Sequence, residues 1–388
     1  MKIFAYNDFI LKKYESNIYG DDSHVLFIDH TGTQYFEKYL LGSRVKNSPQ
    51  KGYYLVKDGS EKILPLPNYS SVSDFLKRPG LFGEARKILK PKIYHFDVFW
   101  LTWPHPISFL ILLLIGKDKP KVLFIRQNLE ALIQVRYSGI QRKIGLLFTR
   151  LMYAYAKRFH PQALIVTVGE EMYKIMQGQF QKVHFISDCI VPSEVAQAPR
   201  KFPEEKLKLI FVGRLEAEKG IPVLLHAIKI LREKFPLQLT LVGEGACQNE
   251  IDQIIAAESL AEEVVLVGYV PFGEQLFELY KSHHLMVISS YSEGLPKIIN
   301  EARAFALPIV STEVGGIAKE LKNENTVIFS PPGDSLLLAQ GIEKIWTDKL
   351  LYEKISRNLS EEFKTNSLEY WSGKFASLVR AHVRNQQN

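Results

Sequence analysis

The stretch KLKLIFVGRLEAEKGIPVLLHAIKILREKFPLQLTLVGEG, Lys206 to Gly245, decides the fold class. Its opening, Lys206 to Leu215, is an apolar run of strand length that ends at Gly213. Ile221 to Phe235 then repeats apolar residues at helical period, with Pro222 in the first turn, where a missing N–H is tolerated. LQLTLVGEG is a second strand. The alternation continues through NEIDQIIAAESL, EVVLVGYV, GEQLFELYKSH, HLMVISS, PKIINEARAFA, LPIVST and TVIFSPPGD. Strands alternating with helices of about 10–15 residues predict β-α-β units in a parallel sheet. Such sheets bind ligands beyond the carboxyl ends of their strands. Gly213, Gly243, Gly245, Gly268 and the turn Ser289–Gly294 all fall at predicted strand ends.

The first half shows the same alternation less cleanly. IFAYNDFI, HVLFIDH, KIYHFDVFWL, KVLFIRQ, ALIVTVG and KVHFIS are its strand candidates, and Leu129 to Phe159 reads as helical with a break at Ser138–Gly139. At 388 residues the chain is too long for one ordinary core. The polar, proline-bearing stretch Pro192 to Lys206 precedes a fresh strand and marks the boundary. Residues 1–198 are therefore expected to form one domain, 199–365 a second, and 366–388 a C-terminal helix.

Charge divides unevenly. Residues 1–200 hold 28 Lys and Arg against 17 Asp and Glu, while residues 201–388 hold 21 against 25. A basic first half suits anionic lipid, a phosphorylated acceptor or nucleic acid, or is simply a solvated surface. Two cysteines, Cys189 and Cys247, make no disulfide framework and point to a reducing, cytoplasmic compartment. MKIFAYNDFI reads as a first strand and not as a signal peptide. The apolar run Ile107 to Gly116 is about half the length that spans a bilayer.

The chemistry concentrates in SSYSEGLPKIINEA, Ser289 to Ala302. Pro296 suits a first helical position. This leaves Glu293 in the preceding loop and Glu301 inside the helix. The amides of Lys297 and Ile298 then point out of the helix start, an anion site flanked by two acceptors of hydroxyl hydrogen bonds. In VGRLEAEKG, Arg214 and Lys219 lie between a strand end and the next helix, on the ligand side of the same sheet. Each charge-assisted bond to a diphosphate is worth about 1.5–3 kcal/mol, against about 0.3–1 kcal/mol for an exposed helix terminus. The cations should dominate and the amides orient. A nucleotide-sugar, with phosphates between two hydroxyl-bearing rings, fits this pattern.

VGRLEAEKG, LVGEG and SEGLPKIINEARAFALPIVSTEVGG, in this order, resemble the nucleotide-binding half of retaining glycosyltransferases of the GT-B fold. The closest likeness is to the large group with a Glu, seven residues, Glu pattern, family 4 among them. The resemblance is strong from about residue 206 to 335. It implies an α/β protein of two Rossmann-like domains, with parallel sheets facing a central cleft. The second domain would bind the donor and the first the acceptor, and the C-terminal helix would cross back to the first. Arg214 and Lys219 would hold and neutralise the leaving diphosphate, and Glu293 would contact the transferred sugar. These three are the catalytic candidates. Glu301 would take the ribose hydroxyls, with Gly213, Gly294, Leu295, Lys297 and Ile298 completing the donor site. No metal and no cofactor are implied, which agrees with the absence of any His, Cys and Asp cluster at ligand spacing.

The first half departs from that family. YNDFILKKYESNIYG offers only Gly20 where many members have a Gly-Gly turn. Arg126-Gln127-Asn128 stands where many have a histidine, and Ser187-Asp188-Cys189 replaces a Pro-Asn-Gly turn. Arg126 is the leading acceptor-side candidate. His95 and His105 are read as structural before functional, with His95 kept beside Arg126. Trp100 and Trp103 are read as packing.

Gln134 to Phe159 has six basic residues, no acidic one, and interleaved Leu, Phe and Tyr. It is either a core helix with a solvated basic face or a peripheral contact with anionic membrane. The expected activity is transfer from a UDP-sugar, ahead of a GDP-sugar, to a hydroxyl of a glycan or lipid-linked acceptor in polysaccharide or glycolipid assembly. The expected place is the cytoplasm, at the inner face of the membrane, and nucleic acid is not an expected partner. The rival readings are a sugar phosphorylase, a dinucleotide oxidoreductase and a non-catalytic basic binding protein. The oxidoreductase lacks its Gly-x-Gly-x-x-Gly after any strand. The binding protein leaves Glu293 and Glu301 without a purpose.

Overall fold

The computed structural model describes all residues except 57, 70–73, 75–77, 79, 205, 295 and 388. The chain forms two compact units, Met1–Ile190 with Tyr370–Asn388, and Val191–Glu369.

Among the described residues of the first unit, seven strands pair in parallel within one mixed sheet. These are β1 (Lys2–Tyr14), β3 (Lys38–Asn47), β5 (Ile63–Leu66), β6 (Val98–Thr102), β7 (Lys121–Ile125), β8 (Leu164–Val168) and β9 (Val183–Ile186). Their order is β5-β3-β1-β6-β7-β8-β9. β6 and β7 are buried along their whole length, as befits strands covered on both faces. Even Lys121 is enclosed, its Nζ donating to the carbonyls of Gly116 and Lys117 at 2.9 and 2.8 Å, and burial pulls its pKa down to about 8.

The departure after the first strand has a physical form. β1 does not stop at a glycine turn. Beyond a register shift between Tyr6 and Ile10 it runs on as a hairpin with β2 (Asn17–Gly20), which pairs antiparallel with β4 (Tyr54–Val56). The turn is Glu15–Ser16, with Glu15 in the left-handed region at φ 52°. Only after this excursion does the crossover helix α1 (His24–Tyr35) begin.

Here HVLFIDH must be corrected: it is the start of α1 and not a strand. Its residues are good strand formers, but Val25, Ile28, Thr31 and Gly32 are buried at helical spacing, and Asp22 accepts the His24 N–H at 2.9 Å. Tertiary burial overrides local propensity. The candidate KIYHFDVFWL shrinks to β6, because helix α2 (Gly80–Ile93) occupies its first residues. The break at Ser138–Gly139 is present. α3 (Leu129–Arg136) and α4 (Gly139–Phe159) meet there, with Gly139 at φ 56°.

The described residues of the second unit form a six-stranded parallel sheet. Its strands are β10 (Leu207–Val212), β11 (Leu237–Val242), β12 (Val264–Gly268), β13 (Leu285–Ile288), β14 (Ile309–Thr312) and β15 (Ile328–Ser330), ordered β12-β11-β10-β13-β14-β15. Strand order reverses between β10 and β13, the switch point where such sheets take ligands. Helix α5 (Ile221–Arg232) follows β10, α6 (Glu274–Ser282) precedes β13, and α7 (Ile298–Ala304) follows it.

The unit boundary lies earlier than the expected 198/199. Gln197 donates its N–H to Ala304 at 2.7 Å, and the Arg200 guanidinium reaches the carbonyls of Phe305 and Tyr280 at 2.9 and 2.7 Å. These contacts tie residues 191–200 to the second unit. At the other end, α8 (Leu368–Gln387) leaves the second unit at Tyr370. Its Phe375 packs on Trp100 at 4.2 Å between ring centroids.

Candidate active site

Two loops meet at the switch point. The first leaves β10 at Gly213, and the second leaves β13 at Ser289. Glycine lets them touch. Gly220 sits at φ 61°, and a Cβ there would stand 2.2 Å from the Ser289 carbonyl oxygen. On the far side Gly315, at φ 52°, presses on the Glu293 carbonyl, where a Cβ would come within 1.8 Å. Two hydrogen bonds to backbone carbonyls close the seam: Tyr291 N–H to the Glu218 carbonyl at 2.8 Å, and the Ser289 hydroxyl to the Lys219 carbonyl at 2.8 Å.

A cavity opens on this seam, lined by Gly213, Arg214, Lys219, Ser290, Glu293, Lys297 and Ile298 among others. Lys219 Nζ donates to Glu293 Oε1 at 2.6 Å, and the Ser290 hydroxyl donates to the same oxygen at 2.7 Å. Both side chains of the ion pair are largely shielded, at 16% and 11% exposure. An ammonium has three donors, so Glu293 fixes Lys219 without exhausting it. Arg214 is the opposite case. It is 70% exposed and pairs with Glu218 at 2.9 Å, a surface bond weak enough for a ligand phosphate to displace.

Of the sequence candidates, Gly213, Arg214, Lys219, Glu293, Lys297 and Ile298 line one cavity. Gly294 and Glu301 are not among its lining residues, and Leu295 lies outside the described residues. The helix start is corrected. α7 begins at Ile298, not Pro296, and ends at Ala304, so Pro296 and Lys297 form the turn that feeds it. The order of the loop is kept, with Glu293 before the helix and Glu301 within it.

Glu301 is only 6% exposed. Tyr280, from α6, donates its hydroxyl to Glu301 Oε2 in a short bond. Burial raises the Glu301 pKa to about 6, while the Tyr280 bond and the Lys297 charge pull the other way. Ser290 and Tyr280 escaped the sequence reading. Tyr280 had one visible signal, its spacing of four from the buried Leu276 on the inner face of GEQLFELYKSH.

The first unit gathers a different cluster at the carboxyl edge of its own sheet. Arg126 Nη2 donates to both oxygens of Asp22, at 3.1 and 2.9 Å, and Asp22 also takes the His24 N–H. His24 is fully buried, stacked between Phe27 and Phe124, with Nδ1 3.3 Å from Asp188. Burial, reinforced by the Arg126 charge, holds its pKa down at about 4 although Asp188 opposes it, so His24 is neutral near pH 7. Arg126 is thus where the sequence placed it, but committed to Asp22. His95 is not brought to this edge. It lies exposed before β6, at the amino end of the sheet. His105 is buried in a hydroxyl bridge between Tyr6 and Tyr69, at 2.9 and 3.1 Å, as a structural histidine.

Residues 192–362 match the family model described as glycosyl transferases group 1. An uncharacterized glycosyltransferase of Methanocaldococcus jannaschii is 30% identical over 41% of this chain and 40% of its own length. The putative teichuronic acid biosynthesis glycosyltransferase TuaC of Bacillus subtilis is 30% identical over 39% of this chain and 38% of its own. The capsular polysaccharide biosynthesis glycosyltransferase CapM of Staphylococcus aureus is 28% identical over 47% of each. The chain therefore spans less than half the length of each of these curated relatives. Among solved structures, HepE of Anabaena in complex with UDP superposes with a TM-score of 0.69, covering 98% of this chain and 100% of its own at 15% identity. The likeness to group 1 glycosyltransferases thus lies in residues 192–362, and the two Rossmann-like units have the GT-B fold.

Proposed function

We propose that the chain transfers a sugar from a nucleotide-diphosphate sugar to a hydroxyl of a glycan or lipid-linked acceptor, in polysaccharide or glycolipid assembly. The observation that carries this reading is the shielded Lys219–Glu293 pair beside Arg214, at the switch point of the β10–β13 sheet. Lys219 and Arg214 bring two positive charges to one cavity, opposite in sign to the charge a leaving diphosphate develops. Glu293, held by Lys219 and Ser290, is oriented to accept hydroxyls of the transferred sugar. Glu301, fixed by Tyr280, takes the ribose. The cations do the work a divalent ion does elsewhere, so transfer is expected to be metal-independent.

A UDP-sugar is favoured over a GDP-sugar. Solved complexes of HepE hold UDP and UDP-glucose, which supports the same donor class here. Retention of anomeric configuration follows the family resemblance. The acceptor is assigned to the first unit, and the place of action to the inner face of the cytoplasmic membrane. A thermal-shift panel of UDP, GDP, ADP and their sugars tests the donor, because a ligand of the folded state raises the midpoint with its affinity. A rise with UDP compounds above all others is expected. No rise with any nucleotide would refute the reading. Transfer should persist in a chelator, and the product's anomeric proton signals should match the donor's configuration.

A further inference from the structure

The hairpin of α3 and α4 carries an apolar face that the fold does not use. Thr149, Met152, Tyr153 and Ala156 are the buried residues of α4. At about 100° per residue they occupy one side of the helix. On the opposite side, Ile140, Ile144, Leu147 and Leu151 fall within roughly a 60° arc. These four are 73%, 55%, 59% and 59% exposed. One apolar face suffices to hold a helix to its domain; α4 has two. Tyr137 and Phe159, at its two ends, are also exposed.

The charge around this stripe has one sign. No acidic residue occurs between Glu130 and Glu170, whereas Arg136, Arg142, Lys143, Arg150, Lys157 and Arg158 fall in that span. Lys143 and Arg150 border the stripe on one side. Arg150 Nε lies 3.5 Å from Glu130 of α3, a solvent-screened pair open to exchange for a phosphate. Among the described residues no helix is long and apolar enough to cross a membrane, so the stripe suits a helix lying in an interface.

We propose that α4 docks on an anionic lipid surface, with Ile140, Ile144, Leu147 and Leu151 among the acyl chains and the flanking cations on headgroup phosphates. A second copy of the helix would cover the aliphatics but bring like charges together. Nucleic acid would use the cations and leave the aliphatics wet. A membrane of anionic lipid satisfies both. The docking stands without the transfer reading, and deepens it by supplying the surface on which a lipid-linked acceptor is met.

Flotation of the full chain with vesicles tests this, using phosphatidylcholine alone or with about a third phosphatidylglycerol. Binding is expected to be at least about tenfold stronger to the anionic vesicles and to weaken with salt. Ile144→Asp with Leu147→Asp should reduce it about tenfold or more, while the UDP-induced thermal shift is unchanged. Lys143→Gln with Arg150→Gln should reduce it severalfold and flatten the salt dependence. The proposal is overturned if the wild type ignores anionic vesicles or if the double aspartate variant floats as well as the wild type. A concentration-dependent dimer lost in that variant, without flotation of the wild type, would assign the face to a second copy and equally overturn it. Flotation without turnover of any nucleotide-sugar would keep the docking and remove the transfer reading.

Discussion

Both units set a charged pair at the carboxyl edge of a parallel sheet, and the pairs serve opposite ends. In the second unit Glu293 takes one bond from Lys219, and a cavity opens beside them. In the first unit both oxygens of Asp22 hold Arg126, and the adjoining His24 is buried and uncharged. One cation lines a cavity; the other is engaged in holding β7 to the start of α1. Similar edges thus differ in whether charge is left over for something else.

The largest effect expected is on turnover. Lys219→Ala should lower transfer by about 10²–10³-fold, the range for removing one preorganised donor from a developing charge. Arg126→Ala should lose far less activity and mainly stability. Steady-state rates of the two variants side by side would break the contrast if the losses were equal. Next comes the seam itself. Gly220→Ala forces a side chain into the left-handed region and against the Ser289 carbonyl, at a cost of about 2–4 kcal/mol. Urea titration should show the loss, and a wild-type midpoint would mean that the loops are not locked there.

Glu301→Ala should weaken nucleotide binding about 10–100-fold, since hydrogen bonds to a charged group are worth about 1.5–3 kcal/mol. A smaller, pH-dependent effect sharpens this. Burial raises Glu301 from 4.5 to about 6 in the folded state. The folded protein therefore holds this proton more tightly than the unfolded chain does. Its contribution to apo stability is full below 4.5 and declines as pH rises to about 6, by about 2 kcal/mol in all. Nucleotide affinity should run the other way, falling severalfold as pH drops through the same window. Tyr280→Phe removes a bond that favours the carboxylate, and should move the midpoint upward. Calorimetric titration from about pH 4.5 to about pH 7, a range that brackets this window, reads both changes. A flat profile in the wild type would separate Glu301 from the nucleotide. The smallest change is expected in the first unit, where Asp22→Asn should cost about 1 kcal/mol without altering UDP affinity.

The two units also differed in how far the chain could be read. Each loop of the second unit is a short continuous motif, VGRLEAEKG and SEGLPKIINEA, so their residue types and strand-end positions were visible together. What escaped there was local geometry. The helix starts at Ile298, and Glu301 shares its proton environment with Tyr280, 21 residues away. The cluster of the first unit has no motif. Asp22 and Arg126 are 104 residues apart, and Asp188 comes from the altered turn after β9. Its central residue, His24, opens a segment rich in strand formers that folds as a helix. The hairpin of β1 and β2 explains the missing glycine turn, but nothing in YNDFILKKYESNIYG distinguishes a long strand from a strand and a loop. The basic run Gln134 to Phe159 was legible as charge, while the doubling of its apolar faces emerged only with the burial of Met152 and Tyr153.

The reading rests most directly on Lys219 and Glu293 as a pair held ready for a diphosphate. Isothermal titration of UDP into the wild type and into Lys219→Ala measures it in one step. Binding by the wild type and a loss of about tenfold or more in the variant are the expected results. Equal affinity in the two proteins, or no binding by either, would contradict it.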